Sequence, residues 1–339
     1  MLHSAANVDH DPAFGRCRIV DKFFITGGQG CIGAWIVRRL LDEGTPFTIF
    51  DLAPNDQILQ QLLSADESAS LQRIFGDVSV TQTVEQAVQE SGATAIIHLA
   101  GLQIPTCRAN PVLGATVNVL GTLNVFEAAR KSEGRIRSVA YASSAAVIGP
   151  PEDYDGPIVD DTPHRPRTHY GYFKLTNEGN ARIFWQDHGV ASAGLRPYAV
   201  YGIGRELGLS SGPSLALRAT AAGQDYTISF SGPCGFTYTR DIADQFIGCA
   251  RKATAGASAL NVVGHCGTVE DFISVIEEVA PDARGSIRCE GGPLPVAAVI
   301  DETGLRELLG TVPLTPLADS IRDTIDRYKD LFDRGVLQP

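Results

Sequence analysis

The chain has 339 residues, 39 of them acidic against 28 basic, for a formal net charge of −11, and 44% are apolar. That length is enough to bury a full core and exceeds one compact layered domain, so a large domain with a smaller lobe is expected. The acidic balance argues against nucleic acid or an anionic membrane as partner, since either needs a basic field, and it leaves any anionic substrate dependent on local arginines.

Met1 to Arg16 are polar and lack a positively charged start followed by an apolar run, so they read as a flexible extension rather than a signal peptide. Phe23-Phe24-Ile25-Thr26 is a short apolar run ending in glycines, and Ala34 to Leu41 follows with helical spacing of apolar residues: strand, turn, helix. Pro46 to Phe50 predicts a second strand, closed by Asp51. A third ends at Gly76-Asp77-Val78, and Ala95 to Leu99 forms another. Further strands are predicted over Ser138 to Ala142, Ala191 to Leu195 and Ala259 to Val263. Helical patterns lie over Val117 to Arg130 and Tyr170 to Asp187. This alternation is that of an α/β fold with a doubly wound, parallel Rossmann sheet, in which ligands bind at the carboxyl ends of the strands. From about Arg196 glycine and proline become more frequent. The expected organisation is therefore a dinucleotide-binding domain over 17–195, rejoined by the strand at 259–263, and a smaller, mainly substrate-binding C-terminal lobe over 196–339. No apolar stretch approaches the ~20 residues of a membrane helix.

Gly27, Gly30 and Gly33 stand between the first strand and its helix. Glycine allows the tight turn and lets backbone N–H groups approach a pyrophosphate, which the positive end of the helix favours. Asp51 closes the next strand about 20 residues on, the spacing of a ribose-binding acid. A carboxylate there accepts both ribose hydroxyls of NAD and repels a 2′-phosphate, so NAD is expected over NADP. Asp77 is placed to reach the adenine amino group. Arg38 and Arg39, farther along the helix, read as surface residues.

Tyr170 and Lys174 share one helical face at i, i+4. For a tyrosine to act as a base near neutrality its pKa must fall by about three units, or ~4 kcal/mol, and a nearby ammonium provides a contribution of that order. Ser143 and Ser144 end a strand nearby, where a hydroxyl can stabilise a forming alkoxide. Either serine satisfies that reading.

Together these segments resemble the extended short-chain dehydrogenases/reductases, in particular the NAD-dependent epimerase/dehydratase family, from about Lys22 to the C-terminus. The turn matches TGGxGxIG, His98-Leu99-Ala100-Gly101 matches HxAG, and Asn118 to Thr122 matches NxxGT. The serine strand, the Tyr170/Lys174 pair and Leu195 to Gly202 follow in order. The resemblance implies Ser144, five positions before Gly149, as the catalytic hydroxyl beside Tyr170 and Lys174, with Lys174 also on the nicotinamide ribose. It implies NAD contacts from Cys31, Ile32, Val78, Leu99, Ala100, Gly101, Gln103, Asn118, Ala142, Pro197 and Val200, in addition to Gly27, Gly30, Gly33, Asp51 and Asp77. Substrate contacts fall on Ser144, Ala145, Tyr198, Ala199 and Arg205. A homodimer through a four-helix bundle would use the helices near Val117 to Arg130 and Tyr170 to Asp187.

Two departures narrow the chemistry. Ala145 and Ala146 stand where the family's dehydratases carry Asp-Glu, so elimination lacks its acid. Ala199 and Cys234-Gly235 stand where nucleotide-sugar epimerases carry Asn and Arg-Asp, which points to a small-molecule substrate such as a sugar, sugar acid or lactone. Arg205, Arg218 or Arg240 could replace the missing arginine or bind a carboxylate, although each also fits a surface or structural role. No metal is expected: Pro166 separates His164 from His169 and prevents a shared helical face. The seven cysteines include no Cys-x-x-Cys pair, which fits a reducing cytoplasm, and Cys107 reads as a small apolar loop residue. The leading expectation is a dehydrogenase of a secondary alcohol. An epimerase working through a transient ketone is the alternative, and a non-catalytic NAD sensor is a weaker one because the Tyr/Lys pair is intact.

Overall fold

The computed structural model describes residues 21–339 and two short strands, Val8–Asp9 and Arg18–Ile19, which pair antiparallel. The rest of the expected N-terminal extension lies outside the described residues. The first half alternates strands and helices: β1 (Phe23–Thr26), α1 (Cys31–Glu43), β2 (Phe47–Asp51), β3 (Arg73–Phe75), α2 (Thr81–Ser91) and β4 (Ala95–His98). Then come α3 (Gly121–Arg130), β5 (Val139–Ala142), α4 (His169–His188) and β6 (Ser192–Pro197). A later strand, β9 (Ala257–Val262), completes a seven-stranded sheet in the order β9-β6-β5-β4-β1-β2-β3. Every pairing in it is parallel.

Both faces of the sheet are covered, which is why its strands read as continuous apolar runs. Alternate residues of β1 serve opposite faces. Phe23 and Ile25 join a core with Trp35 and Leu40 of α1, while Phe24 joins a second core with Val84, Phe126 and Phe184 from α2, α3 and α4. The smaller lobe contains β7 (Ala199–Tyr201) and β8 (Pro233–Tyr238), which pair parallel, and β10 (His265–Thr268), antiparallel to β8. Ile242 and Phe246 of α6 (Thr239–Lys252; α5 is Gly212–Ala222) belong to the same core as α1. The chain therefore returns to the main sheet at Thr239, before the strand expected to bring it back.

One expectation is corrected. Pro111–Arg130 forms a run of helical turns that is, by length and composition, long and apolar enough to cross a membrane. Half of it is buried inside the fold, and it carries the buried, hydrogen-bonded Asn118, Thr122 and Asn124. These features make it a core helix with an uncovered apolar flank.

A buried ion pair joins α4 to the sheet. Arg196 of β6 meets Glu178 of α4 through Nε at 2.8 Å and Nη2 at 2.7 Å, and both side chains are enclosed. Arg196 Nη1 also donates to the Asp160 carbonyl and to Asn261 of β9, and Ser143 donates to Glu178 at 2.5 Å. Removing one partner strands the other charge in a medium that cannot solvate it. Glu178→Gln should lower unfolding stability by about 3–5 kcal/mol in urea melts. A Glu178→Leu/Arg196→Met double variant should recover part of that loss, and not all, because Ser143 and the Asp160 carbonyl lose their partners.

Candidate active site

The site begins in the turn between β1 and α1. Gly27 has φ +71°, and a methyl on it would meet the Ala100 nitrogen at 2.7 Å; one on Gly33 would meet the Gly27 carbonyl at 2.1 Å. Gly30 caps α1 without a side-chain hydrogen bond, so the first-turn N–H groups remain available to an anion. Gln29 fastens the turn to the end of β2. Its N–H donates to Asp51 Oδ2 at 2.9 Å, and its amide exchanges hydrogen bonds with the Ala53 carbonyl and the Asn55 N–H. Burial raises the Asp51 carboxyl to about 6 despite the donors around it. Arg38 is paired with Glu67 and Asp42, and Arg39 with Asp244, so neither is free for a 2′-phosphate.

A polar chain runs beneath the turn. His98 Nδ1 lies 2.7 Å from Thr26 Oγ1 and Nε2 lies 3.0 Å from Thr122 Oγ1. Thr122 donates its proton to the Asn118 carbonyl, so it accepts from Nε2–H, and Nδ1 accepts from Thr26. Burial, together with the Lys174 charge, lowers His98 to about 3, which keeps it neutral. Asn177 of α4 donates to both the Asn118 carbonyl and Thr122. Asn118 lies on a π-helical turn over Thr116–Leu120, and its side chain grips the backbone of Leu102 through both amide atoms. It therefore shapes the loop after β4 and does not line the cleft.

Thr168 caps α4 by accepting from the Gly171 N–H, and this sets the first turn on which Tyr170 and Lys174 stand. Lys174 is buried, donates to the Ala142 carbonyl at 2.8 Å and holds Nζ 5.5 Å from the Tyr170 ring centroid. Burial lowers it to about 8, and the neighbouring Cys107 works in the opposite sense. The Tyr170 phenol is pushed up by burial, while Ser144 and Arg205 pull it the other way. The depression needed for base catalysis is therefore absent from the protein alone and depends on charge brought by a ligand. Ser143 is committed to Glu178, whereas Ser144 accepts from the Ala146 N–H and turns its hydroxyl to the Tyr170 phenol. That difference gives a physical reason for the serine that the resemblance selects.

These parts line one cleft of about 280 Å³: Gly27, Gly30 and Gly33 at the turn, Ser144, Tyr170 and Lys174 at the proton-transfer group. Cys31, Ile32, Leu99, Gly101, Gln103, Ala142, Pro197, Tyr198, Val200 and Arg205 also line it. A model of the NAD-dependent epimerase/dehydratase family matches residues 23–262. The chain belongs to that family. It is thereby an NAD-dependent enzyme of the extended short-chain dehydrogenase/reductase type, and its uncapped helix terminus and glycine turn fit the cofactor.

Among its relatives, the UDP-glucose 4-epimerase of Azospirillum brasilense is 26% identical over 94% of this chain and 94% of its own length. That of Mycolicibacterium smegmatis is 27% identical over 91% of this chain and 99% of its own. A partial-consensus L-threonine 3-dehydrogenase superposes with a TM-score of 0.79 at 21% identity, covering 91% of this chain and 99% of the other. The Thermotoga maritima UDP-glucose 4-epimerase with UDP-glucose gives 0.78 at 18%, covering 92% and 99%.

Several expected contacts of this family member lie outside the cleft. Ala199 and Ala145 are buried in apolar clusters, so neither presents a side chain to a substrate. Val78 packs against Gly121 and its carbonyl accepts from Asn124, which makes it a wall behind α3. Asp77 accepts from the Ser79 N–H and hydroxyl through Oδ1. Ala100 supports Gly27 through its backbone. Tyr198 lines the cleft but gives its proton to the Val296 carbonyl. Arg218 is held by Glu206 and the Gln338 carbonyl, and Arg240 lies outside the cleft. Lining residues the sequence reading missed are Leu102, Ile104 and Pro105 on one wall and Gly208, Leu209 and Ser210 on the other. The glycine-rich run after Tyr201 was the signal for the second group. Among the described residues, no three His, Cys, Asp or Glu side chains gather to hold a metal.

A carboxylate is a stronger acceptor for ribose hydroxyls than a carboxylic acid. With the Asp51 value raised to about 6, NAD affinity measured by calorimetry should plateau above that pH and fall roughly tenfold as the group protonates below it. Asp51→Asn should flatten the profile and narrow the preference for NAD over NADP.

Proposed function

We propose that this enzyme oxidises, or in reverse reduces, a secondary alcohol of a small hydroxylated substrate, with Ser144, Tyr170 and Lys174 moving the proton. The observation that carries the reading is that one cleft brings the glycine turn to the half-buried Tyr170, the buried Lys174 and the Ser144 hydroxyl. Bound NAD supplies the acceptor for the hydride leaving the carbinol carbon. The protein's own groups do the rest: Tyr170 takes the hydroxyl proton, Ser144 donates to the oxygen as its charge grows, and the Lys174 ammonium stabilises the ionised phenol. Gly27, Gly30, Gly33, Asp51, Leu99, Gly101 and Gln103 would hold the cofactor, with Pro197 and Val200 bordering its reactive end.

A substrate smaller than a nucleotide sugar is supported by Cys234, which is buried in the main core and offers no charge where the family's nucleotide-sugar enzymes place arginine. The competing reading, an epimerase, is favoured by the full-length UDP-glucose 4-epimerase relatives. It uses the same three side chains and returns the hydride to the other face of the ketone. Incubation with NAD and a panel of sugars, sugar acids and lactones separates them, because a dehydrogenase accumulates NADH and an epimerase shows no net reduction. Tyr170→Phe should cut turnover by about 100-fold or more while NAD affinity stays within a few fold. UDP raising the melting temperature would move the substrate to the nucleotide sugars.

The assembly we propose is a homodimer. Val112, Leu113 and Leu120 on the helical run before α3, and Tyr172, Ile183 and Trp185 on α4, are exposed apolar side chains on the two helices that a four-helix bundle would pair. Six described cysteines are free thiols, which suits a reducing compartment such as the cytoplasm. Sedimentation should give twice the monomer mass, and Val112→Glu with Ile183→Glu should shift it to the monomer.

A further inference from the structure

The cleft holds one cation that the proton-transfer chemistry does not use. Arg205 leaves β7 on the segment Gly202–Ser211 and lines the cleft. Its Nη2 donates to Ser210 Oγ at 3.3 Å, and its Nε is enclosed without a hydrogen-bond partner. Gly208 sits at φ +103°; a methyl there would lie 2.6 Å from Gln103 Oε1 and 3.2 Å from Arg205 Nη2. Amide, guanidinium and bare backbone thus share one corner.

That corner stands between the two ends of the cleft: the Arg205 charge acts on the Tyr170 phenol and also on the Cys31 thiol at the start of α1. Ile104, next to Gln103, borders Tyr170 in both the main cleft and an adjoining cavity. The adjacent acid does not neutralise the guanidinium, because Glu206 is turned to Arg218 at 3.0 Å. The uncapped terminus of α1, which touches this segment through Cys31 and Trp35 on the Ile203 carbonyl, already offers N–H groups to the cofactor's phosphates. In a chain of net charge −11, an anionic substrate would be repelled without a fixed cation.

We propose that Arg205, supported by Ser210, binds a carboxylate of the substrate, which makes the substrate a hydroxy acid or sugar acid and not a neutral sugar or polyol. This rests on the reading of the Tyr170 cleft as a hydride-transfer site. A guanidinium fork matches a carboxylate with two parallel hydrogen bonds, and Ser210 sets its plane. The carboxylate then fixes which hydroxyl faces Tyr170.

The test is binding to the NADH-saturated full-length enzyme, by calorimetry and thermal shift, with glycerate, D-erythronate and D-galacturonate, each beside its uncharged counterpart glycerol, erythritol or D-galactose. At least one acid should bind about tenfold or more tightly than its counterpart. Arg205→Met should erase that preference while NADH affinity stays within about threefold, and Arg205→Lys, which keeps the charge but loses the fork, should retain part of it. NADH affinity in the same samples reports that each variant is folded. Equal binding of acids and neutral counterparts by the wild type would overturn the proposal. So would an Arg205→Met variant that keeps the preference, or one that weakens NADH as much as the acid, which would assign the guanidinium to the pyrophosphate. Either failure with NADH binding intact leaves the hydride-transfer reading standing, since that reading falls only if Tyr170→Phe turns over normally.

Discussion

The pair between Arg196 and Glu178 holds the catalytic helix on the sheet. Glu178 lies on the same face of α4 as Tyr170 and Lys174, two turns beyond the first and one turn beyond the second, and Arg196 is fixed near the carboxyl end of β6. With both charges enclosed, their geometry is set by mutual satisfaction and not by solvent. The same pair takes the proton of Ser143, draws in Asn261 of β9 and braces the loop at Asp160. One ion pair therefore sets the height of the tyrosine above the sheet, the identity of the serine that faces it and the attachment of the last strand.

A second network does the matching work on the cofactor side. Thr26, His98, Thr122 and Asn177 form an unbroken relay from the end of β1 to α4, and the neutral imidazole is what lets it close without a buried charge. Asn118 extends it to the loop whose glycine must approach Lys174. The glycine turn and the proton-transfer group are thereby tied to the same helix by two independent polar paths. Their separation is a property of the scaffold, as reactions sensitive to sub-ångström placement require.

The ionisation states show what the scaffold leaves to its ligands. Burial alone raises Tyr170 and lowers Lys174, both in the direction of neutrality and away from a phenolate–ammonium pair. Positive charge brought by the cofactor would favour ionisation of the tyrosine, as the Arg205 cation already does.

The strand–turn–helix with its glycines, the acid closing β2 and the i, i+4 pair were legible because each is a local requirement: φ above zero, a helix terminus, one helical face. So was the parallel sheet, whose doubly buried strands must be continuous apolar runs. Residues paired across the fold were not legible. Nothing adjacent to Ser143 in sequence shows that its proton goes to Glu178, and nothing near Ala199 shows that its side chain turns into the core. Asn118 and Asp77 sat at the right positions, yet their side chains hold loops, a partition set by neighbours brought from elsewhere in the chain. In the apolar run at Pro111–Arg130, only the packing shows which half is covered. What the sequence determined by itself was therefore the chemistry that depends on local spacing. Which serine faces the tyrosine, which arginine reaches the cleft and where the outer wall stands were decided by the tertiary structure, because burial and charge satisfaction are sums over contacts distant along the chain.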